Sequence, residues 1–372
     1  MALPAPPPSS RDRPNAFVSR GRRITMADLA TKAGVSKGAV SCALNGRPGV
    51  SDTTRRRILQ LADDLGWYPH KAARSLSAAR ADACGLIIAR PARSLAAESY
   101  FIELIAGIET ALSSRSASLM LHVVADIDAE IAVYRRWWAE RRVDGVLVVD
   151  LRLDDPRIAE LERLGVPAVV VGGPRGVGGL PAVWIEDDSE VSEVVRYLAR
   201  LGHRRIARVA GISGLSYTEA RGEAFARVAS ELKLSAYVLS TDYTKESGAS
   251  ATRQLLTEPS PPTAIIFDND VLAVAGLGVA QEMGLRIPDD LSLVAWDDSY
   301  YCQVVHPALT AMARDVSDHG TRAVNALFAL LEKGTITRVP GARGRLTPRG
   351  STGPVPAQRD QGHPGTAGRR RT

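Results

Sequence analysis

The stretch Ile24-Thr-Met-Ala-Asp-Leu-Ala-Thr-Lys-Ala-Gly-Val-Ser-Lys-Gly-Ala-Val-Ser-Cys-Ala-Leu-Asn-Gly46 combines two short helical patterns with one glycine turn. Thr25 followed three residues later by Asp28 is typical of a capping box, and it predicts a first helix over about residues 25–32. Gly34 can adopt positive φ in the turn, and Ser36 offers an N-cap oxygen to a second helix that ends at Asn45-Gly46. Two short helices joined by a tight turn are typical of a helix-turn-helix.

A third helix completes a small helical head. Ser51 can cap it, Gly66 can end it, and apolar residues recur at helical spacing between them. Packing of the three helices leaves one face of the second helix free to enter a major groove. Between Arg20 and Arg80 the chain holds 12 Lys or Arg residues against 4 Asp or Glu residues, which is typical of a phosphate-binding surface. The alternative is a small helical cap with an ordinary solvated basic face.

The net charge of +6 conceals an asymmetry along the 372 residues. Both ends are basic, whereas residues 81–337 carry a net charge of about −10, so the middle is not predicted to contact nucleic acid. The cysteines Cys42, Cys84 and Cys302 have no paired or metal-type spacing, which favours a reducing compartment. The first twenty residues lack an apolar signal region, and no apolar run approaches membrane-spanning length. We therefore predict a cytoplasmic, nucleoid-associated protein with no membrane partner and no metal site.

From Cys84 onward, short apolar runs alternate with helical patterns, which indicates βαβ units. The first series of predicted strands comprises residues 85–89, 118–124, 144–150 and 168–172, with helices near 101–112, 129–141 and 156–164. The second series comprises strands at 183–186, 206–211, 237–240, 264–268 and 293–296, with helices near 189–201, 219–232, 246–256 and 271–283. Two parallel-sheet subdomains result, and such pairs bind small ligands at the carboxyl ends of their strands.

Specific motifs recur in both parts of the chain. The head contains Ala33-Gly-Val-Ser36, Leu44-Asn-Gly46, Val50-Ser-x-x-Thr-Arg55 and Ala73-Arg-Ser-Leu76. The core contains Leu201-Gly-His-Arg-Arg-Ile206, Phe267-Asp-Asn-Asp270, Trp296-Asp-Asp298 and Pro307-Ala-Leu-Thr310. Together they resemble the lactose-repressor (LacI-type) family of bacterial transcriptional regulators, as far as about Asp315. The resemblance implies an N-terminal all-α helix-turn-helix headpiece and an α/β core of two parallel-sheet subdomains similar to periplasmic sugar-binding proteins.

The resemblance and the composition together predict the domain organisation. The predicted segments are a disordered lead-in at 1–21, the DNA-binding domain at 22–68, a hinge helix and linker at 69–82, the effector-binding and dimerisation core at 83–337, and a disordered basic tail at 353–372. Subdomain one is predicted to comprise about 83–181 and 309–336, and subdomain two about 182–308 and 337–352. Because residues 338–348 are rich in Arg, Gly and Pro, the final strand is predicted to be frayed or rebuilt.

The family pattern implies which residues contact DNA. These are Thr25, Met26, Ser36, Lys37, Gly38, Ala39, Ser41, Cys42, Asn45, Thr54, His70, Ala73 and Leu76. Leu76 matches a hinge leucine that is pushed into the minor groove, with Ala73 as its companion, and two such hinges require a dimer. Ala39, Cys42 and His70 depart from the family's usual Thr, Arg and Asn. Since Cys42 cannot make a bidentate guanine contact, Lys37 becomes the best candidate for reading bases.

The same resemblance implies an effector site at the strand ends. Its predicted residues are Tyr100, Phe101, Arg221, Tyr243, Asn269, Asp297 and Arg314. A cation, a carboxylate, an amide and an aromatic face suit a sugar, which needs both hydrogen bonds and a flat apolar platform. Each residue also has an ordinary interpretation: Arg221 could pair with Glu219 or Glu223, and Asp297 could cap a turn.

The prediction is a homodimeric transcriptional repressor of carbohydrate-metabolism genes that binds a pseudo-palindromic double-stranded operator and is controlled by a small sugar-like effector in the cleft between the subdomains. An activator, a regulator that needs its ligand as corepressor, and a pure sugar-binding module are the alternatives. The sequence has no nucleophile elbow, no phosphate-binding Gly-Lys-Ser/Thr loop and no His/Cys cluster, so neither a catalytic residue nor a cofactor is predicted.

Overall fold

The computed structural model describes residues 24–67, 80–91, 95 and 98–355. The chain divides into two units, residues 1–79 and residues 80–372. The predicted hinge residues His70, Ala73 and Leu76 lie outside the described residues, as do the predicted lead-in and most of the predicted tail.

The described part of the first unit, residues 24–67, contains three helices, as predicted. They are α1 (Met26–Ala33), α2 (Lys37–Leu44) and α3 (Asp52–Asp64). Thr25 caps α1 through a complete capping box with Asp28, and Ser36 caps α2 by accepting from the amide of Ala39. Gly34 ends α1 at a φ of 64°. Leu29, Val40 and Ile58 are fully buried where the three helices meet, so the helical period read from the sequence marks a real core.

Among its described residues, the second unit contains two six-stranded sheets. The first has the order β11-β5-β4-β3-β1-β2, with every pair parallel. Its strands are β1 (Ala83–Ala89), β2 (Ser118–Val124), β3 (Gly145–Val148), β4 (Ala168–Val171), β5 (Ala182–Trp184) and β11 (Arg338–Pro340). The helices α4 (Ser99–Ser113), α5 (Ile127–Ala139), α6 (Pro156–Leu164) and α12 (Val316–Lys333) connect or cover these strands.

The second sheet has the order β12-β10-β9-β8-β6-β7 and is parallel except for β12, which runs antiparallel to β10. Its strands are β6 (Arg205–Ala210), β7 (Ser235–Ser240), β8 (Ala264–Phe267), β9 (Ser292–Trp296), β10 (Thr310–Ala313) and β12 (Arg345–Thr347). Its helices are α7 (Asp187–Arg200), α8 (Ser216–Glu231), α9 (Lys245–Thr257), α10 (Asp270–Glu282) and α11 (Tyr300–Val304).

Three assignments to subdomains were wrong. The strand predicted to open the second subdomain is β5, which pairs with β4 and β11 in the first sheet. Leu309 does not begin the return to the first subdomain, because it is buried in the second and leads into β10, which pairs with β9. The strand β11 also belongs to the first sheet. An apolar run predicts a buried strand, but it does not reveal which sheet supplies the hydrogen-bond partner.

The three crossings between the sheets therefore lie at residues 185–187, 314–315 and 341–344. The segment rich in Arg, Gly and Pro contains two strands of only three residues each, β11 and β12, so the final strand is short and antiparallel. Within the described residues, no helix is long and apolar enough to cross a membrane.

Candidate functional site

A cleft lies at the carboxyl ends of the strands of both sheets. All seven residues predicted for the effector site line it: Tyr100, Phe101, Arg221, Tyr243, Asn269, Asp297 and Arg314. The space between its side chains, including the part open to solvent, is about 700 Å³, which is in the usual range for a small-molecule site. Residues more than 200 positions apart in the chain thus meet at one place.

Two arginines form a charged cluster on the second-subdomain side of the cleft. Arg221 Nε donates to Asp187 Oδ1 at 2.7 Å, and Arg314 Nη2 donates to the same oxygen at 2.8 Å. Arg314 also binds the buried carboxylate of Glu190. Both guanidinium groups lie over the ring of Trp296, at 5.1 and 5.3 Å from its centroid. Asp187 therefore fixes both arginines against one indole.

The ordinary interpretation of Arg221 on a solvated helix face does not hold. Its side chain is buried and pairs with Asp187, whereas Glu223 pairs with Arg175 and Glu219 accepts from the amide of Gly214. The helix α8 turns Arg221 inward, towards the strand ends.

The sequence reasoning missed a second cluster, around Arg90. Its guanidinium donates to both oxygens of Asp150, at 2.7 and 3.0 Å, and contacts Glu98 at 3.3 Å. It also donates to the hydroxyl of Tyr217, which comes from the other subdomain, at 3.0 Å. Arg90 and Asp150 each follow an apolar strand, so the strand-end rule that located Asp297 could have found them.

Three polar atoms at the cleft lack a hydrogen-bond partner among the described residues: Asn269 Nδ2, Asp297 Oδ1 and His319 Nδ1. Asn269 uses its amide oxygen to cap α10, which leaves its NH₂ group unused. Asp297 Oδ1 lies 3.7 Å from Arg314 Nη1, at ion-pair rather than hydrogen-bond distance. Because β8 and β9 are neighbours, an unused donor and an unused acceptor stand at adjacent strand ends.

Burial shifts the pKa values of the ionisable groups at the cleft. Burial raises the pKa of Asp297 to about 6, although Arg314 and Arg221 oppose the shift. It raises the pKa of Glu98 to about 8 despite the nearby Arg90, and it lowers the pKa of His319 to about 4. At neutral pH His319 is therefore uncharged, so one of its ring nitrogens donates a hydrogen bond and the other accepts one.

The aromatic residues at the cleft pack against different parts of the protein. Tyr243 is buried at a φ of 65°, and a Cβ on Gly211 would lie 1.9 Å from its ring, so only glycine leaves room for the tyrosine there. Phe101 is buried in the core of the first subdomain and meets Tyr100 edge-on at 5.4 Å. The two residues line the cleft and also pack in that core.

In the head, the start of α2 carries the predicted base-reading surface. Ser36, Lys37, Gly38 and Asn45 are exposed, whereas Met26, Ala39, Ser41, Cys42 and Thr54 are half-buried and Thr25 is exposed at the start of α1. Not every headpiece arginine is available to phosphate, however. Arg55 donates to the carbonyl of Arg47 and Arg57 to that of Ala33, both at 2.8 Å. These two arginines therefore stabilise the fold of the head through hydrogen bonds to its backbone.

The chemistry of both sites is that of binding. Among the described residues, no group of three or more His, Cys, Asp or Glu side chains could hold a metal ion. The cleft instead presents fixed ion pairs, aromatic rings and three polar atoms without a hydrogen-bond partner among the described residues, which suit a polar ligand of modest size.

Comparisons with known proteins agree with this architecture. Residues 25–70 match the bacterial regulatory protein family described as lacI, and residues 195–352 match the periplasmic binding protein-like domain. The HTH-type transcriptional regulator AglR of Rhizobium meliloti strain 1021 is 31% identical over 90% of this chain and 95% of its own. A LacI family transcriptional regulator from Bifidobacterium animalis subsp. lactis is 35% identical over 74% of this chain and 99% of its own, with a TM-score of 0.69. The structure of the transcriptional regulator CelR in complex with cellobiose is 28% identical, covers 88% of this chain and 100% of its own, and has a TM-score of 0.68.

The alignment with AglR, at 31% identity, covers 90% of this chain and therefore spans both the headpiece and the core. The relatives with this arrangement are regulators of transcription and not enzymes. The chain belongs to the lacI family of bacterial transcriptional regulators.

Proposed function

We propose that this regulator represses carbohydrate-metabolism genes as a homodimer on a pseudo-palindromic operator, and that a small sugar-like effector in the cleft controls it. The observation that carries the effector proposal is the pair of unused groups at adjacent strand ends, Asn269 Nδ2 and Asp297 Oδ1. Acting on the bacterial chromosome, the protein works in the cytoplasm.

A sugar hydroxyl both donates and accepts a hydrogen bond. A vicinal diol can donate to the Asp297 carboxylate through one hydroxyl and accept from the Asn269 amide through the next. The region is rich in aromatic rings, which a sugar ring favours. Arg221 lies over the rings of Tyr217 and Trp296, and Tyr243 also lines the cleft. The similarity to the CelR–cellobiose complex supports the same ligand class.

The cleft is also suited to transmit a signal, because it is bridged by direct contacts between the two subdomains. Tyr217 donates to Asp150 at 3.2 Å, and Ser99 donates to Asp270 at 2.8 Å. A ligand that binds one relative pose of the subdomains more tightly shifts the population towards that pose. A coupling of about 1–3 kcal/mol between cleft and operator changes operator affinity roughly 5- to 150-fold.

The first experiment is selection of bound sequences from a random double-stranded DNA library, using the purified full chain at near-physiological salt and without ligand. The expected result is enrichment of an inverted repeat with a flexible central step, because paired heads and hinges read two half-sites. The enriched site then serves to screen neutral mono- and disaccharides for release. Enrichment of a single half-site would contradict the dimer, and release by no sugar would contradict the effector class.

The variant Lys37→Ala is expected to weaken binding to the selected operator by roughly 5- to 150-fold, the range for about 1–3 kcal/mol from one base-reading side chain. Competition titrations should show a much smaller loss for unrelated DNA. Lys32→Ala, which removes an equal charge from the last turn of α1, is the matched control. Equal losses on both DNAs for Lys37→Ala would reduce Lys37 to a phosphate contact.

Sugar affinity is expected to fall about tenfold between pH 7 and pH 5, since Asp297, with a pKa of about 6, is mostly protonated at pH 5 and can no longer accept the sugar hydroxyl as a carboxylate. Asp270 and Glu103 face the same carboxylate and raise its pKa, whereas Arg314 and Arg221 stay charged throughout. Calorimetric titration at three pH values measures the effect. The variant Asp297→Asn should bind more weakly at pH 7 but lose the pH dependence, and an unchanged profile would place the titrating group elsewhere.

A further inference from the structure

A second concave surface lies outside the cleft, on the second subdomain. Four arginines line it: Arg196, Arg200, Arg343 and Arg345. We call this surface the arginine groove. The space along it, much of which is open solvent, is about 1110 Å³, and it shares no lining residue with the cleft.

The groove has two walls from different parts of the chain. One wall is an exposed face of α7, on which Ser189, Glu193, Arg196 and Arg200 follow one another at helical spacing. The other wall is the crossing segment 341–344 with the start of β12. The segment rich in Arg and Gly, whose role the family resemblance did not explain, is thus half of a groove.

The second wall is held in place rather than free. The amide of Gly344 donates to the buried carboxylate of Glu190 at 2.7 Å. A Cβ on Gly344 would lie 2.6 Å from that carboxylate oxygen, so glycine is what allows the close approach. Arg345 is fixed at the backbone by the pairing of β12 with β10. The backbone of this wall is therefore positioned before any ligand arrives.

The charges in the groove are unbalanced. Four guanidinium groups face one lining carboxylate, Glu193, which pairs with Arg343 at 3.0 Å. Arg196 pairs with Glu231 on the neighbouring helix at 2.6 Å. Arg200 and Arg345 make no ion pair with any residue that the structure describes. Arg196 and Arg200 belong to residues 81–337, which carry a net charge of about −10, whereas Arg343 and Arg345 belong to the basic end of the chain.

We propose that the arginine groove is a second ligand site, for a small molecule that carries a phosphate or diphosphate group. Guanidinium forks match phosphate oxygens two at a time, and arginines on opposite walls can hold one multiply charged group between them. A neutral sugar carries no negative charge to pair with these guanidinium groups. The groove and the cleft therefore bind ligands of different chemistry. The regulator has two small-molecule inputs.

The test is calorimetric titration of the full chain with inorganic pyrophosphate at constant ionic strength. The variant pair is Arg200→Ala with Arg345→Ala, because neither arginine leaves a paired carboxylate behind. The matched control is Arg136→Ala with Arg152→Ala, which removes the same charge from two exposed positions outside the groove that make no ion pair with any described residue. Thermal unfolding of each protein, followed by circular dichroism, confirms that all three are folded.

We expect the wild-type chain to bind pyrophosphate at a site that the groove variant weakens at least tenfold and the control variant leaves unchanged. Equal affinities in the wild-type and groove variants would assign the binding to another basic surface, such as the head, and would overturn the proposal. Absence of binding by the wild-type chain, or an equal loss in the groove and control variants, would overturn it as well. Because the readout is independent of sugar and operator, failure here leaves the proposed function untouched.

Discussion

Replacing Arg221 with alanine is expected to abolish the response to the effector while leaving operator affinity without ligand nearly unchanged. The guanidinium is buried, donates to Asp187 at 2.7 Å and to the carbonyl oxygen of Asp268 at 3.2 Å, and lies over Trp296. Each charge-assisted hydrogen bond to a ligand is worth about 1.5–3 kcal/mol, so loss of two lowers ligand affinity by roughly 100-fold or more. The head that contacts DNA is a separate unit of the chain.

The measurement is operator binding by fluorescence anisotropy, with and without the sugar found by screening. Arg227→Ala is the matched control, because Arg227 lies on the same helix but is exposed and pairs with Asp188 and Glu231. Since Arg221→Ala removes one partner of a buried carboxylate, Arg221→Lys is needed as a second variant that keeps the charge without the planar fork. A normal response in Arg221→Ala would remove this residue from the ligand site.

The local elements of the fold were predictable because their signals are local. The caps Thr25, Ser36 and Ser51 mark helix starts within one residue of those in the structure, and the strand at residues 118–124 has the predicted bounds. Such signals act through hydrogen bonds between residues three or four positions apart. Assignment of β11 to a sheet failed because it depends on pairing with β5, a strand more than 150 residues away. Assignment of β5 failed although it also pairs with β4, the strand before it in the chain, because an apolar run does not show which sheet it joins.

At the cleft, too, the sequence identified the residues that lie in local motifs and missed those that depend on strand order. Asn269 and Asp297 were found because each follows an apolar strand within a motif, whereas Arg90 and Asp150 also follow strands but carry no motif that distinguishes them from a surface turn. Their pairing at 2.7 Å spans 60 residues and follows from the neighbouring positions of β1 and β3 in the sheet. A rule based on strand ends alone would have found the second cluster once the strand order was known.

The variant Gly107→Ala is expected to cause a large loss of stability, because α4 and α12 approach each other at this glycine with almost no space between their backbones. A Cβ on Gly107 would lie 1.9 Å from the carbonyl oxygen of Ser317, and one on Gly320 would lie 2.4 Å from the carbonyl oxygen of Leu104. Because the obstacle is backbone, the helices must separate, at a cost of about 3 kcal/mol. Such a loss should lower the midpoint of thermal unfolding by several degrees.

The control is Gly278→Ala in α10, where nothing outside the adjacent backbone of its own helix lies within 4 Å of the added Cβ, so the substitution should stabilise the chain by about 0.5–1 kcal/mol through helix propensity. Thermal unfolding followed by circular dichroism distinguishes the two variants, and a midpoint for Gly107→Ala at or above that of the wild type would contradict the close approach. The effect should extend to the cleft, because α12 begins two residues after Arg314, which holds Asp187 and Glu190. Displacement of α12 should therefore weaken sugar binding in Gly107→Ala but not in Gly278→Ala, which makes the packing of these two helices a condition for the geometry of the ligand site.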